Sequence, residues 1–253
     1  MTEPGRYLYG FTDRQLDGVT ALRGLAGAPV YTVRYRDVAA IVSDHPVQHL
    51  IPSRRNLEPH HRIVRQISAV AALVPAAFGH ISETEDALVD VVRGNYDEIR
   101  EEIERLSGTC EMSVKLSWAV DNIFNFFVCR DRELREMRDR AFRDHVPSVP
   151  EKLEIGGRFE ALLKRDRDRF TRLLTDAFAS VAREVSYGTP RTETVVCQLA
   201  FLIDQHATGM FEATLRRAAG LFDQNFTLEY SGPWPSYSFV RLRLQPVERP
   251  TAA

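Results

Sequence analysis

The sequence contains no apolar run long enough to cross a bilayer. Nor is there an apolar signal core behind Met1-Thr2-Glu3-Pro4-Gly5-Arg6. The expectation is a soluble, cytoplasmic protein without a membrane partner. Cysteine is scarce. Cys110, Cys129 and Cys197 lie far apart, with no CxxC and no Cys/His zinc spacing; two of them sit on strand-like apolar runs, which points to small core residues in a reducing compartment. Charge of one sign is also missing: the formal net charge is -2, so no global field favours nucleic acid as a partner. GxxxxGK[ST], a strand-borne GxGxxG, GxSxG and HExxH are all absent, and no catalytic, cofactor-binding or metal residue is assigned. What remains is 253 residues, 44% hydrophobic and 27% charged, enough for one large domain or two ordinary ones with real cores.

Within that frame, Cys110 to Asp121 alternates with period two. Cys110, Met112, Val114, Leu116, Trp118 and Val120 share one face and polar residues most of the other, the pattern of a half-buried strand. Before it, the sequence predicts a strand over 6–12 and a loop over 13–28. A hairpin of 29–35 and 38–43 follows, joined at Arg36-Asp37. A helix capped by Asn56, with Pro59 in its first turn, carries Leu57, His60, Val64 and Ile67 on one face. A strand over 74–81 precedes a single helix, entered by Ser82-Glu83-Thr84-Glu85 and ended by Gly108. Beyond the central strand come a Phe-rich helix capped by Asp121, an exposed charged helix over 130–143, and a long amphipathic helix reaching Val185. Strands over 194–204, 226–231 and 237–244 enclose a helix over 208–222. Two α+β domains result, each a mostly antiparallel sheet with helices on one face: 1–108 and 109–245, then a loose tail, 246–253.

The candidate chemistry is sparse. His45, His49, His60, His61 and His80 cluster in sequence, but Pro46 separates the first two, and His61 turns about 100 degrees from His60 on a helix. His60, on the apolar stripe, reads as a hydrogen-bonded core histidine. Asp166 and Asp168, between Lys164, Arg165, Arg167 and Arg169, read as a salt-bridged outer helix face. Between Glu83 and Glu104 nine carboxylates face two arginines, a solvated helix surface ahead of a basic-partner site. Gly156-Gly157 is a weak phosphate signal that close helix packing explains as well. Ser231 to Phe239 packs two prolines and three aromatics between strands. The prolines deny ladder bonds, so the stretch is a stiff edge or crossover. Trp234 and Tyr237 either lid the core or form a rigid aromatic anchor for a partner.

Gly232-Pro233-Trp234-Pro235-Ser236-Tyr237-Ser238-Phe239 closely resembles the GPWPPYSF signature near the C-terminus of the GvpL/GvpF family of gas-vesicle proteins. Tyr7-Leu8-Tyr9-Gly10, Val74-Pro75-Ala76-Ala77-Phe78-Gly79 and Glu111-Met112-Ser113-Val114-Lys115-Leu116-Ser117-Trp118 agree in order, as do Gly156 and the strand over 199–203. The sequence departs at Ala77, where the family often carries arginine. The resemblance implies a two-domain α+β protein with a modified ferredoxin-like second domain. It further implies an accessory or minor structural component of gas-vesicle formation, without enzyme activity or cofactor. Its partners would be the small, very apolar major shell protein GvpA and other gas vesicle accessory proteins, in the cytoplasm and at the vesicle. Pro233, Trp234, Pro235, Tyr237 and Phe239 are then the expected partner interface. The alternative from another class is a small-molecule or metal/haem-dependent enzyme on a ferredoxin-like scaffold, tested at His60 and His61.

Overall fold

Strand β1 (Gly5–Thr12) is rich in aromatic residues and buried along its whole length. It pairs antiparallel with β3 (Val38–His45), which forms the expected hairpin with β2 (Val30–Tyr35). Arg36 takes the left-handed conformation (φ 54°) at the hairpin turn. Its guanidinium lies over the rings of Tyr35 and Tyr96, 5.3 and 4.9 Å from their centroids, contacts that offset part of the turn's strain. On its other side β1 pairs with the two-residue strands β4 (Val74–Pro75) and β5 (Ile81–Ser82), giving the order β2-β3-β1-β4 with β5 beside β1. Gly10 is required there, because a Cβ would lie 2.5 Å from the Val74 carbonyl oxygen.

The computed structural model describes residues 4–14, 16, 19–143 and 145–245. The expected loose tail, 246–253, and Gln15, Asp17 and Gly18 of the expected first loop lie outside them.

The helices of this sheet begin and end differently from the sequence expectation. Helix α1 (Arg54–Ser68) is entered from Ser53, so Asn56 is not its cap and Pro59 lies beyond the first turn. The predicted strand over 74–81 is reduced to its two ends, because Gly79 (φ 99°) turns the chain between them. The predicted single acidic helix is two, α2 (Glu85–Gly94) and α3 (Tyr96–Leu106). They break at Asn95 (φ −121°, ψ 23°), whose side chain donates to the Val91 carbonyl. Thr84 caps α2, accepting from the Ala87 amide.

The second sheet has the order β7-β8-β6-β9. Strand β6 (Thr109–Trp118) is the alternating strand of the sequence reading, and α4 (Ile123–Arg130), α5 (Arg132–Ala141) and α6 (Val149–Phe178) follow it. Asn122, not Asp121, caps α4. Helix α6 stops at Phe178, and the residues expected to prolong it form β7 (Ala182–Gly188), paired with β8 (Val195–Asp204) through Val185 opposite Phe201. Val181 and Val185 suit a helix or a strand equally by spacing, and pairing along β8 decides between them. Helix α7 (Thr208–Ala219) and strand β9 (Phe226–Trp234) complete the set. Asp166 is buried beside the core rather than on an outer face, and Arg165 lies 3.1 Å from its carboxylate. Arg167 donates instead to the carbonyls of Thr192, Glu193 and Val195.

The chain divides into two compact units. One gathers the described residues of Met1–Glu111 and Pro233–Ala253, the other is Met112–Gly232. Residues 109–111 and 233–245, expected in the second domain, group with the first unit in this division. Strand β9 ends at Trp234, and Pro235, which cannot donate to a ladder, follows it. The predicted strand over 237–244 is instead a 3-10 turn, Tyr237–Phe239, followed by chain that joins no sheet.

Candidate partner-binding groove

Beyond Trp234 the returning segment has no ladder, and side chains satisfy several of its backbone groups. Glu111 accepts from the Ser238 amide and hydroxyl, at 2.8 Å each, and so clamps the 3-10 turn. The Ser236 carbonyl accepts from the Phe239 amide. One turn of chain later, Glu102 accepts from the Arg241 amide at 2.6 Å, while Arg105 donates to the Phe239 carbonyl. Asn95 holds the far end, accepting from the Gln245 amide at 2.8 Å and donating to its carbonyl at 3.2 Å. Asn95, Glu102 and Glu111 are all buried. Burial works to raise the Glu102 carboxyl, but the hydrogen bonds from Arg105 and the Arg241 amide outweigh it and hold the group below the ordinary carboxylate range.

The clamped turn delivers Tyr237 to His60. The Tyr237 hydroxyl lies 3.2 Å from His60 Nε2, and the Tyr7 hydroxyl lies 2.8 Å from Nδ1. Both nitrogens of this fully buried imidazole are thus engaged, as expected for a core histidine and not for a metal ligand. Burial, aided by the charge of His61, pushes the His60 pKa down to about 4, against a smaller opposing effect of a backbone hydrogen bond to Ala76. Burial raises both the Tyr7 and Tyr237 hydroxyls above the ordinary tyrosine value. Around this pair three of the recognised stretches meet: the Gly79 amide donates to the Tyr7 hydroxyl, the Ala76 amide donates to the Tyr9 carbonyl, and Phe78 packs edge-on against His60.

Outside the triad lies a groove of about 420 Å³. Helix α1 supplies Glu58, His61, Arg62 and Arg65 to one wall. Trp234, Pro235 and Tyr237 line it from the returning segment, and Glu111 from β6. The expected interface residues are therefore divided. Trp234 is 42% exposed and Pro233 is exposed, Tyr237 is half-buried, and Pro235 and Phe239 (4% exposed) are buried. Of the other histidines, His45 is buried against the Pro46 carbonyl, and His49 and His80 are exposed. Among the described residues no three His, Cys, Asp or Glu side chains form a group able to hold a metal. Sequence reasoning missed Asn95, Glu102, Arg105 and Glu111. Glu111 left a trace as the first residue of the recognised stretch Glu111 to Trp118, but its role as a clamp did not.

Together these features define a two-unit α+β scaffold whose first unit is closed by its own C-terminal segment and carries a groove with an exposed tryptophan. The model of the family described as gas vesicle synthesis protein GvpL/GvpF matches residues 5–241. The chain belongs to that family, and its role is that of an accessory protein in gas-vesicle formation. It is 24% identical to gas vesicle protein F of Nostoc sp. (strain PCC 7120 / SAG 25.82 / UTEX 2576), over 94% of this chain and 98% of the relative. To gas vesicle protein F of Streptomyces sp. (strain CB03234) it is 26% identical, over 92% and 98%. The crystal structure of GvpF from Anabaena sp. PCC7120 matches with a TM-score of 0.82 at 25% identity, covering 95% of this chain and 99% of that one.

Proposed function

We propose that this protein binds the major gas-vesicle shell protein, GvpA, and covers it transiently or seeds its assembly into the wall. The contact is the groove between α1 and the Pro233–Trp234–Pro235 stretch. The observation that carries this reading is the fate of Trp234. In the same motif Pro235 and Phe239 are buried and Tyr237 is half-buried, while Trp234 is 42% exposed beside a groove, between two prolines. A rigid aromatic at a concave site is a common anchor for a partner. A small, apolar subunit would aggregate in water unless a partner covered it before incorporation.

The second unit supports the finer fold reading. Its elements run β-α-β-β-α-β, counting α4 to α6 as one helical insertion, and its sheet order is β7-β8-β6-β9. That order supports reading it as a ferredoxin-like sheet with added helices. The working place is the cytoplasm and the growing vesicle. At His60, one of the two positions at which the enzyme alternative would be tested, both nitrogens are engaged by tyrosines.

The test is co-expression of the tagged full chain with the shell protein, followed by capture. Trp234→Ala is expected to fold and to retain about a tenth or less of the captured shell protein. Unchanged capture by a folded Trp234→Ala removes this surface from the account.

A further inference from the structure

Helix α1 carries four arginines, Arg54, Arg55, Arg62 and Arg65, against one carboxylate, Glu58. All four arginines are exposed, and none forms an ion pair among the described residues. Other arginines differ: Arg93 pairs with Asp90, Arg100 with Asp37 and Arg132 with Glu136, whereas Arg140, Arg172 and Arg191 are exposed without an ion pair among the described residues. Arg62 and Arg65 stand three residues apart on the groove side of α1, where like charges repel each other. Arg62 uses one nitrogen on the Arg23 carbonyl at 2.8 Å, which leaves most of its donors available. Across the groove stand the flat apolar surfaces of Trp234 and Pro235.

We propose that the groove takes an acidic–apolar segment of the shell protein, an apolar side chain seating on Trp234 and Pro235 and a neighbouring carboxylate pairing with Arg62 and Arg65. This rests on the reading that Trp234 faces the shell protein, and adds the charge that the segment must carry. Guanidinium forks match carboxylates in a bidentate manner, which fixes orientation as well as attraction. Glu58 and Glu111 line the same groove. They would repel a continuous phosphate chain but leave room for a single carboxylate, which favours a peptide over nucleic acid.

The experiment is capture of the co-expressed shell protein by the tagged full chain, at about 0.05 M and about 0.5 M salt. R62E/R65E is expected to lower capture about tenfold at low salt and to flatten its salt dependence. R54E/R55E makes the same charge change on the same helix away from the groove, and is expected to stay within about twofold of wild type. Should R62E/R65E fold poorly, R65Q carries the test, because the Arg65 side chain holds no other element. Wild-type capture by R62E/R65E or R65Q, with capture lost in Trp234→Ala, overturns this inference and leaves the proposed function standing. Wild-type capture by Trp234→Ala overturns both. Loss of capture on nuclease treatment of the wild type overturns it in favour of a nucleic-acid bridge.

Discussion

The two units keep different things inside. The first buries Tyr7, Tyr9, Ser43, His60, Asn95, Glu102 and Glu111 among its aliphatic residues, and each of these polar groups has a named partner. The second is built on rings: Phe178 lies 4.6 Å from Phe201 and 4.7 Å from Phe211, centroid to centroid, and Trp118 packs on Phe127. An aromatic core is stabilised by close packing of its rings, whereas a polar core is stabilised only when its donors and acceptors are also met. The difference teaches why the C-terminal segment returns to the first unit. Buried carboxylates and an amide there need its backbone, whereas among the described residues the second unit buries Asp166 and Thr214 as polar groups.

This comparison can be broken or sharpened by substitution. The largest effect is expected in the aromatic core, where Phe178→Ala should cost about 3–5 kcal/mol, read from chemical denaturation. In the first unit, His60 gives a pH signature. Its folded pKa of about 4 lies below the unfolded value of 6.5, so the unfolded chain takes up the proton first. Stability contributed by neutral His60 is present above pH 6.5 and is lost as the pH falls toward 4, by about 3 kcal/mol in total. A folded His60→Gln variant should lack that slope between those values, and a slope of equal size in the variant would assign it to other groups. Glu111→Gln replaces one acceptor by a donor facing Ser238 and should cost about 1.5–3 kcal/mol. A cost near zero would show that the 3-10 turn holds without the clamp. The smallest effect is a gain. Gly157 sits exposed within α6, and a Cβ there meets nothing within 4 Å, so Gly157→Ala should stabilise by about 0.5–1 kcal/mol.

Much of the fold was legible because it is local. β1, the β2–β3 hairpin, β6, β8 and α7 all announce themselves by alternation or helical spacing. His60 was legible as a core histidine because its stripe neighbours Val64 and Ile67 are apolar and buried. The errors fall where tertiary contacts choose between two local solutions. Ala182 to Gly188 became a strand because β8 offered an edge, and the acidic helix broke where Asn95 turned its side chain onto Val91. In the groove, the motif from Gly232 to Phe239 was visible, but its division of labour was not. Tyr237 and Phe239 are drawn inward by Glu111 and Arg105, which lie more than 100 residues earlier, and no periodicity encodes a contact of that range.

The central claim is that the motif's buried aromatics hold the first unit while Trp234 holds the partner. Melting temperature and shell-protein capture measured on the same Trp234→Ala sample test it most directly, with Phe239→Ala alongside. The account predicts a melting temperature within about 2 °C of wild type for Trp234→Ala, with capture down about tenfold, and a fall of about 10 °C for Phe239→Ala. Full capture by Trp234→Ala, or a fall in its melting temperature matching that of Phe239→Ala, would contradict it.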